Sequence, residues 1–251
     1  MLVRPKKYFF APLLPFIFLF ACTHLKVQRT ETQHTVISQP QIDSATYKFI
    51  LPYKQSLDVK MNEVIGVAPV ALVKSLPESN LGNFFADAMM QKALSIQNTD
   101  TANLVALFNT GGLRTSVPQG DVHVGNMFEL MPFENELVLV PLKGSELLLV
   151  LNAIAEKGGA PLAGVRFVIT NKKAEKVFVH QSSLDTAKVY TIATSDYLAN
   201  GGDKFFAIES PKTYAKTKIL LRDILIEYCK NLYKQNKPVT GVTDGRISIA
   251  K

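Results

Sequence analysis

The chain has 251 residues, of which 47% are hydrophobic and 20% charged, enough apolar material for one sizeable core or one large domain with an appendage. Its formal charge is +7 and its pI about 9.3. Two cysteines exclude a disulfide framework, and the composition excludes a low-complexity or solenoid-repeat chain.

Basic Arg4, Lys6 and Lys7 precede an apolar run from Tyr8 to Ala21, which is short for a transmembrane helix and has the layout of a targeting signal. Its end, Leu19-Phe20-Ala21-Cys22, resembles a bacterial lipobox, although Phe20 stands where a smaller residue is usual. The resemblance implies a signal peptide over 1–21, lipidation of Cys22, and a lipid-anchored place in the bacterial cell envelope, at the outer membrane or facing the periplasm. Thr23 in place of Asp argues against retention at an inner membrane. An ordinary signal peptide or a short anchor is the alternative. Loss of Arg4, Lys6 and Lys7 lowers the formal charge from +7 to +4, which suits an anionic small molecule and makes no basic stripe for a nucleic-acid polymer. Cys229 is then the one unmodified cysteine, and it falls in a helical apolar pattern as a small core residue.

Residues 22–41 are polar, rich in Gln and Thr and without sustained period, as expected of a flexible tether that carries solvated His24 and His34. A domain is expected over 42–251, opening with a helix that has Pro52 early and a strand leading into Val67–Val70. Leu81, Phe84, Phe85 and Ala88 repeat at helical spacing, with Ser79 or Asn80 as cap and Gly82 explained only by close packing. Asn103–Asn109 reads as a strand, the segment from Gly120 to Phe133 as a turn and short helix, and Glu136–Leu142 as a strand. Ser145–Lys157 is a helix closed by Gly158-Gly159. Strands are expected at Phe167–Thr170, Lys176–His180 and Lys188–Ala193, a helix over Thr217–Leu232, and a last strand in Gly245–Ala250. Loose alternation with antiparallel-looking pairs late in the chain predicts a single α/β (α+β) domain with a mixed sheet packed by helices.

The motifs of a self-sufficient hydrolase are missing. No second histidine lies within five residues of His24, His34, His123 or His180, and there is no P-loop or Gly-x-Ser-x-Gly elbow. No catalytic residue, metal ligand or cofactor of this chain is expected. What is present is "FNTGGLR". Asn109 ends a strand, Gly111 and Gly112 let the backbone approach a ligand, and Arg114 offers a fork for phosphate or carboxylate. A Gly-Gly turn with a surface arginine is the plainer reading. Phe133 lies outside any regular pattern, and Tyr197 precedes Asp203 by six residues across Asn200, Gly201 and Gly202. Two aromatics from separate loops could sandwich a base, and an acid could accept from ribose hydroxyls. Taken singly, Phe133 reads as a core anchor and Tyr197 as a strand-end aromatic.

Taken together, "LFNTGGLRTSVPQGDVHVGNMFELMPFENELVLVPLKGSEL", "YTIATSDYLANGGDKF" and the upstream "LGNFFADAM" resemble the C-terminal, substrate-binding domain of the 5′-nucleotidase family, which includes UDP-sugar hydrolases and 2′,3′-cyclic phosphodiesterases. The resemblance covers about residues 62–249. It implies that Asn109 and Arg114 bind the phosphate side, that Phe133 and Tyr197 stack on the base, and that Asp203 holds the ribose on a loop shaped by Asn200, Gly201 and Gly202. Where the family usually has a further arginine before the Leu-Gly-Asn helix, this chain has Lys74 and Ser75, and lysine lacks the bidentate fork. Family enzymes also carry a metallophosphoesterase domain with a two-metal centre, whose motifs cannot fit into residues 23–61. The resemblance therefore implies a nucleotide-recognition domain in nucleotide catabolism, with divalent metals in a separate metallophosphoesterase partner chain. A non-enzymatic nucleotide- or nucleoside-binding lipoprotein, or a degenerate relic, is the alternative.

Overall fold

The computed structural model describes residues 31–32, 43–96, 101–204 and 214–250. The expected signal peptide, Cys22 and almost all of the expected tether lie outside the described residues. Residues 45–251 cluster into one compact unit.

The chain opens with α1 (Ser44–Met61), none of whose residues is buried; Pro52 falls well inside it rather than near its start. Strand β1 (Val64–Ala68) follows. Helix α2 (Asn80–Ile96) buries Leu81, Phe84, Phe85 and Ala88, the stripe its spacing predicts. The Ser79 hydroxyl accepts from the Gly82 amide at 2.9 Å and supplies the cap. A Cβ on Gly82 would meet that hydroxyl at 2.8 Å and Pro161 at 3.3 Å, so close packing does explain the glycine.

Next come β2 (Leu104–Leu107), β3 (Gly120–His123) and the short α3 (Val124–Leu130). They are followed by β4 (Glu136–Lys143), α4 (Gly144–Glu156) and β5 (Leu162–Ala163). Gly158 and Gly159, at φ +86° and +130°, stop α4 as expected, and the Gly159 amide donates back to the Ile154 carbonyl. Then come β6 (Val165–Thr170), β7 (Lys173–Val179), β8 (Ser182–Ser183), β9 (Val189–Ser195) and the one-turn α5 (Asp196–Ala199). The chain closes with β10 (Ala215–Leu220), α6 (Leu221–Lys234) and β11 (Ile247–Ile249).

The mixed sheet is five-stranded in the order β10-β4-β9-β2-β5. Strands β2 and β9 are parallel, and the other pairs antiparallel. All four residues of β2 are buried, as are Leu137–Val140 of β4, so both faces of the sheet centre are covered. Two smaller sheets accompany it, β1-β3 and β11-β6-β7-β8. Helix α6 begins at Leu221, not at Thr217. Residues 215–220 pair with β4, and the Thr217 hydroxyl donates to the Leu137 carbonyl at 2.7 Å, so sheet pairing overrides the helical pattern there. Cys229 is fully buried on α6, as its pattern predicts.

The topology concentrates three loops at one place. Because β2 and β9 are parallel, with Ala106 opposite Ala193, both end at the same end of the sheet. Strand β4 begins there, since Leu137 pairs with Ser195 in the antiparallel ladder. The segments 108–114, 131–135 and 196–204 therefore meet at one end of three neighbouring strands. Crevices of this kind, outside strand ends, are where open α/β sheets hold ligands.

Candidate functional site

Each of the three segments is tied down by contacts its sequence supplies. After β2 the chain makes a single 3-10 turn over Thr110–Gly112, closed by Gly112 and Leu113 amides donating to the Asn109 and Thr110 carbonyls. The Arg114 amide then donates to the Leu130 carbonyl at 2.9 Å. The Gly112 amide, on the stretch expected to approach a ligand, is thus spent on the turn. The two glycines differ in packing. A Cβ on Gly112 would sit 2.4 Å from the Phe108 ring, a core residue, so Gly112 is required for packing. A Cβ on Gly111 would make only ordinary contacts, 3.7 Å from the Asn109 side chain and 3.9 Å from that of Asp203, so packing does not require a glycine there.

The second segment leaves α3 at Met131. Arg222, 8% exposed at the start of α6, lays its guanidinium 4.2 Å from the Phe128 ring centroid and donates to the Met131 carbonyl at 3.4 Å. Its Nε is buried with no partner among the described residues. The contact fixes the backbone two residues ahead of Phe133.

The third segment starts on α5, capped by the Ser195 hydroxyl accepting from the Leu198 amide. It then bends sharply: Asp203 has φ +54° and ψ +12°, in the left-handed region that non-glycine residues rarely adopt. Outside the cavity, Lys157 Nζ at the end of α4 donates to the Asp203 carbonyl at 2.9 Å and holds that bend.

The three segments enclose a cavity of about 390 Å³, within the range of small-molecule sites. The loop after β2 contributes Asn109, Gly111, Gly112 and Arg114; Phe133 and Asn135 come from the approach to β4; Tyr197 and Asp203 come from the loop after β9. Phe133 is 42% exposed, so it is not a core anchor; Tyr197, 46% exposed, does stand just past the end of β9. The Arg114 guanidinium carbon lies 5.8 Å from the Phe133 ring centroid, and its Nη1 donates to the Gly111 carbonyl at 3.3 Å. No ion pair among the described residues engages Arg114.

Asp203 is the most connected group in the cavity. Its Oδ1 accepts from the Tyr197 hydroxyl at 2.8 Å and its Oδ2 from Asn109 Nδ2 at 2.5 Å. The hydrogen bond to Asp203 pushes the Tyr197 phenol above its ordinary pKa, with partial desolvation and the carboxylate charge acting the same way. Asn109 thus turns its amide nitrogen to Asp203, while its buried Oδ1 has no partner among the described residues.

Not every expected site residue lines the cavity. Lys74 Nζ donates to the Leu113 carbonyl at 2.8 Å, on the backbone next to Arg114. Asn200 Oδ1 accepts from the Tyr214 hydroxyl at 3.0 Å. Gly202 acts by packing: a Cβ there would lie 2.5 Å from the Tyr197 ring, which rests against it. Sequence reasoning missed Asn135, Lys157 and Arg222. Asn135 was within reach, because it stands two residues after Phe133 in a chain about to become a strand. Lys157 and Arg222 act from 46 and 91 residues away and leave no local signal.

Among the described residues no group of three or more His, Cys, Asp or Glu side chains converges to hold a metal ion. The donor set does not fit the two-metal centre of the wider family.

Fold and cavity together define an α/β domain with a cavity at its strand ends, lined by two aromatic faces, one carboxylate and one guanidinium. The family model described as "5′-nucleotidase, C-terminal domain" matches residues 64–210, and the chain belongs to that family. Relatives include an apyrase of Tabanus yao, 30% identical over an alignment 224 residues long that covers 78% of this chain and 40% of the apyrase. A 5′-nucleotidase of Vibrio parahaemolyticus is 27% identical over 75% of this chain and 34% of its own length. The crystal structure of a 5′-nucleotidase precursor from Thermus thermophilus superposes with a TM-score of 0.68 at 29% identity, covering 83% of this chain and 44% of that one. The chain therefore spans about two fifths of the length of these proteins.

Proposed function

We propose that this chain is a nucleotide-recognition domain that presents a nucleotide phosphate to a metallophosphoesterase chain acting with it. The observation that carries the reading is the convergence of Asn109, Arg114, Phe133, Tyr197 and Asp203 on one cavity from three separate loops. Phe133 and Tyr197 offer faces for a base, and Asp203 accepts from ribose hydroxyls. Arg114 meets the phosphate with a bidentate fork. Holding and aiming a phosphate lowers a barrier by orientation alone, and the partner's metals activate the attacking water. Membership of the 5′-nucleotidase family supports a role in nucleotide catabolism. Lipidation at Cys22 would place the domain on the cell envelope, and mass spectrometry of the mature N-terminus tests that part.

The test is AMP hydrolysis by this chain, by a candidate metallophosphoesterase chain, and by the two mixed, each with Mn²⁺ or Zn²⁺. Phosphate release well above the separate chains is expected only in the mixture. A mixture no faster than its parts would overturn the paired reading. One observation favours the alternative of a non-enzymatic nucleoside- or nucleotide-binding lipoprotein: Lys74 is engaged on the Leu113 carbonyl, which leaves Arg114 as the one cation lining the cavity among the described residues. Under that alternative, calorimetry shows AMP binding to the lone chain while no partner elicits hydrolysis.

A further inference from the structure

A stacking ring needs only its face, yet Tyr197 also uses its hydroxyl. That hydroxyl donates to Asp203 Oδ1 at 2.8 Å, while Asn109 Nδ2 donates to Oδ2. Lys157 holds the Asp203 carbonyl at 2.9 Å, and the Tyr197 ring is seated on Gly202, the residue before Asp203. Asp203 is thus gripped at three atoms by groups from three elements, in a left-handed backbone conformation it would not favour alone. Each carboxylate oxygen has about two acceptor directions, so one internal donor on each leaves about one open per oxygen. Two open acceptor directions side by side match two adjacent hydroxyl donors. They offer nothing comparable to a sugar that lacks them.

We propose that Tyr197 is a positioning residue for Asp203, and that its hydroxyl, together with Asn109, sets the site to select ligands with a vicinal diol. The proposal rests on the nucleotide-recognition reading above and adds the part of the ligand that is discriminated and the group responsible. Removing the hydroxyl leaves the ring face for stacking but frees one carboxylate oxygen. The carboxylate can then rotate, and the diol loses its aligned acceptors. Ligands without a diol feel little of this.

The test measures binding of adenosine, 2′-deoxyadenosine and 2′,3′-dideoxyadenosine to the full chain by calorimetry, for the native protein, Tyr197→Phe and Lys157→Met. The native protein is expected to prefer adenosine over the dideoxy compound by about tenfold or more, the scale of one hydrogen-bonded pair with a charged acceptor. Tyr197→Phe is expected to keep its dideoxyadenosine affinity within about twofold and to lose most of that preference, the difference a double-mutant-style cycle isolates. Lys157→Met, outside the cavity, is expected to narrow the preference in the same direction. Equal weakening of all three ligands by Tyr197→Phe would mean that the hydroxyl only seats the ring, and an unchanged ratio would mean that it does not orient Asp203; either overturns the proposal and leaves nucleotide recognition standing. A native protein that binds none of the three nucleosides and no AMP overturns the recognition reading itself.

Discussion

The guanidinium of Arg114 faces the ring of Phe133 at 5.8 Å, so the site's cation and one of its aromatic walls hold each other in place before any ligand enters. Phe133→Ala removes a stacking face and the support of Arg114 together. Base stacking on an aromatic side chain contributes about 1–3 kcal/mol, a loss of roughly 5- to 150-fold in affinity. Calorimetry with AMP is expected to show that loss for Phe133→Ala and near-native binding for Phe133→Tyr. Arg114→Lys is expected to weaken AMP and spare adenosine, because lysine keeps the charge and loses the fork.

Two glycines in the site separate binding from folding. Gly202→Ala pushes on the Tyr197 ring, which is 46% exposed and can swing away. Nucleoside affinity should fall while the thermal midpoint stays near native. Gly112→Ala drives a Cβ into Phe108, which has no exposure and lies 4.5 Å from the Phe85 ring centroid. Overpacking of that kind costs about 1–3 kcal/mol, and urea unfolding of Gly112→Ala should report it.

Hydrogen bonding to Asp203 raises the Tyr197 phenol above its ordinary value of 10.0. A raised pKa means that the native state favours the neutral phenol. The Tyr197–Asp203 bond is therefore fully present below pH 10 and is lost only as pH climbs past the raised value. Tyrosinate absorbance of the native protein minus that of Tyr197→Phe should show a step displaced to the alkaline side of free tyrosine. In Asp203→Asn, which removes the carboxylate charge, the step should move back towards it.

Burial pushes the Cys229 thiol up to about 12. The thiolate is the reactive form, so the folded protein should resist alkylation. In a Cys22→Ser background, labelling is expected to be absent at mildly alkaline pH and complete in denaturant. The neutral thiol's contribution to stability is intact below its unfolded value of 9.0 and fades as pH rises towards 12.

Arg246 pins the C-terminal strand. Its side chain is 11% exposed, donates two bonds to Asp87 at 2.7 and 2.9 Å, and donates to the Leu162 carbonyl at 2.9 Å. Burial alone would lower its pKa, but the hydrogen bonds and charges of Asp87 and Asp244 outweigh this and raise it. Arg246→Met strands the Leu162 carbonyl and the partly exposed Asp87 carboxylate and should lower the unfolding free energy by about 2 kcal/mol, discounted because Asp87 is 38% exposed. Chemical denaturation measures it.

Local regularity explains what the sequence made legible. The stripe Leu81, Phe84, Phe85, Ala88 repeats within one helix, and Gly158-Gly159 ends another through backbone conformation alone. Residues 217–220 misled because their pattern is shared by helix and strand, and the deciding partner, Leu137 with its neighbours on β4, lies 80 residues away. Five of the residues that line the cavity could be named through the resemblance to a family. Their mutual geometry could not, because it depends on which strands are neighbours. Lys157 stayed silent for the same reason: nothing near it in the chain says that it will meet the Asp203 backbone.

The parallel pairing of β2 with β9, and the antiparallel pairing of β9 with β4, gives the pocket a fixed gauge. Its jaws are mounted on adjacent rails about 4.8 Å apart, a spacing dictated by peptide hydrogen bonds and indifferent to side chains. Substitutions at the three mouths change the lining of the cavity and leave the rails alone. Widening the grip itself would require slipping the ladder that runs from Leu137 opposite Ser195 to Lys143 opposite Val189, and with it the centre of the sheet.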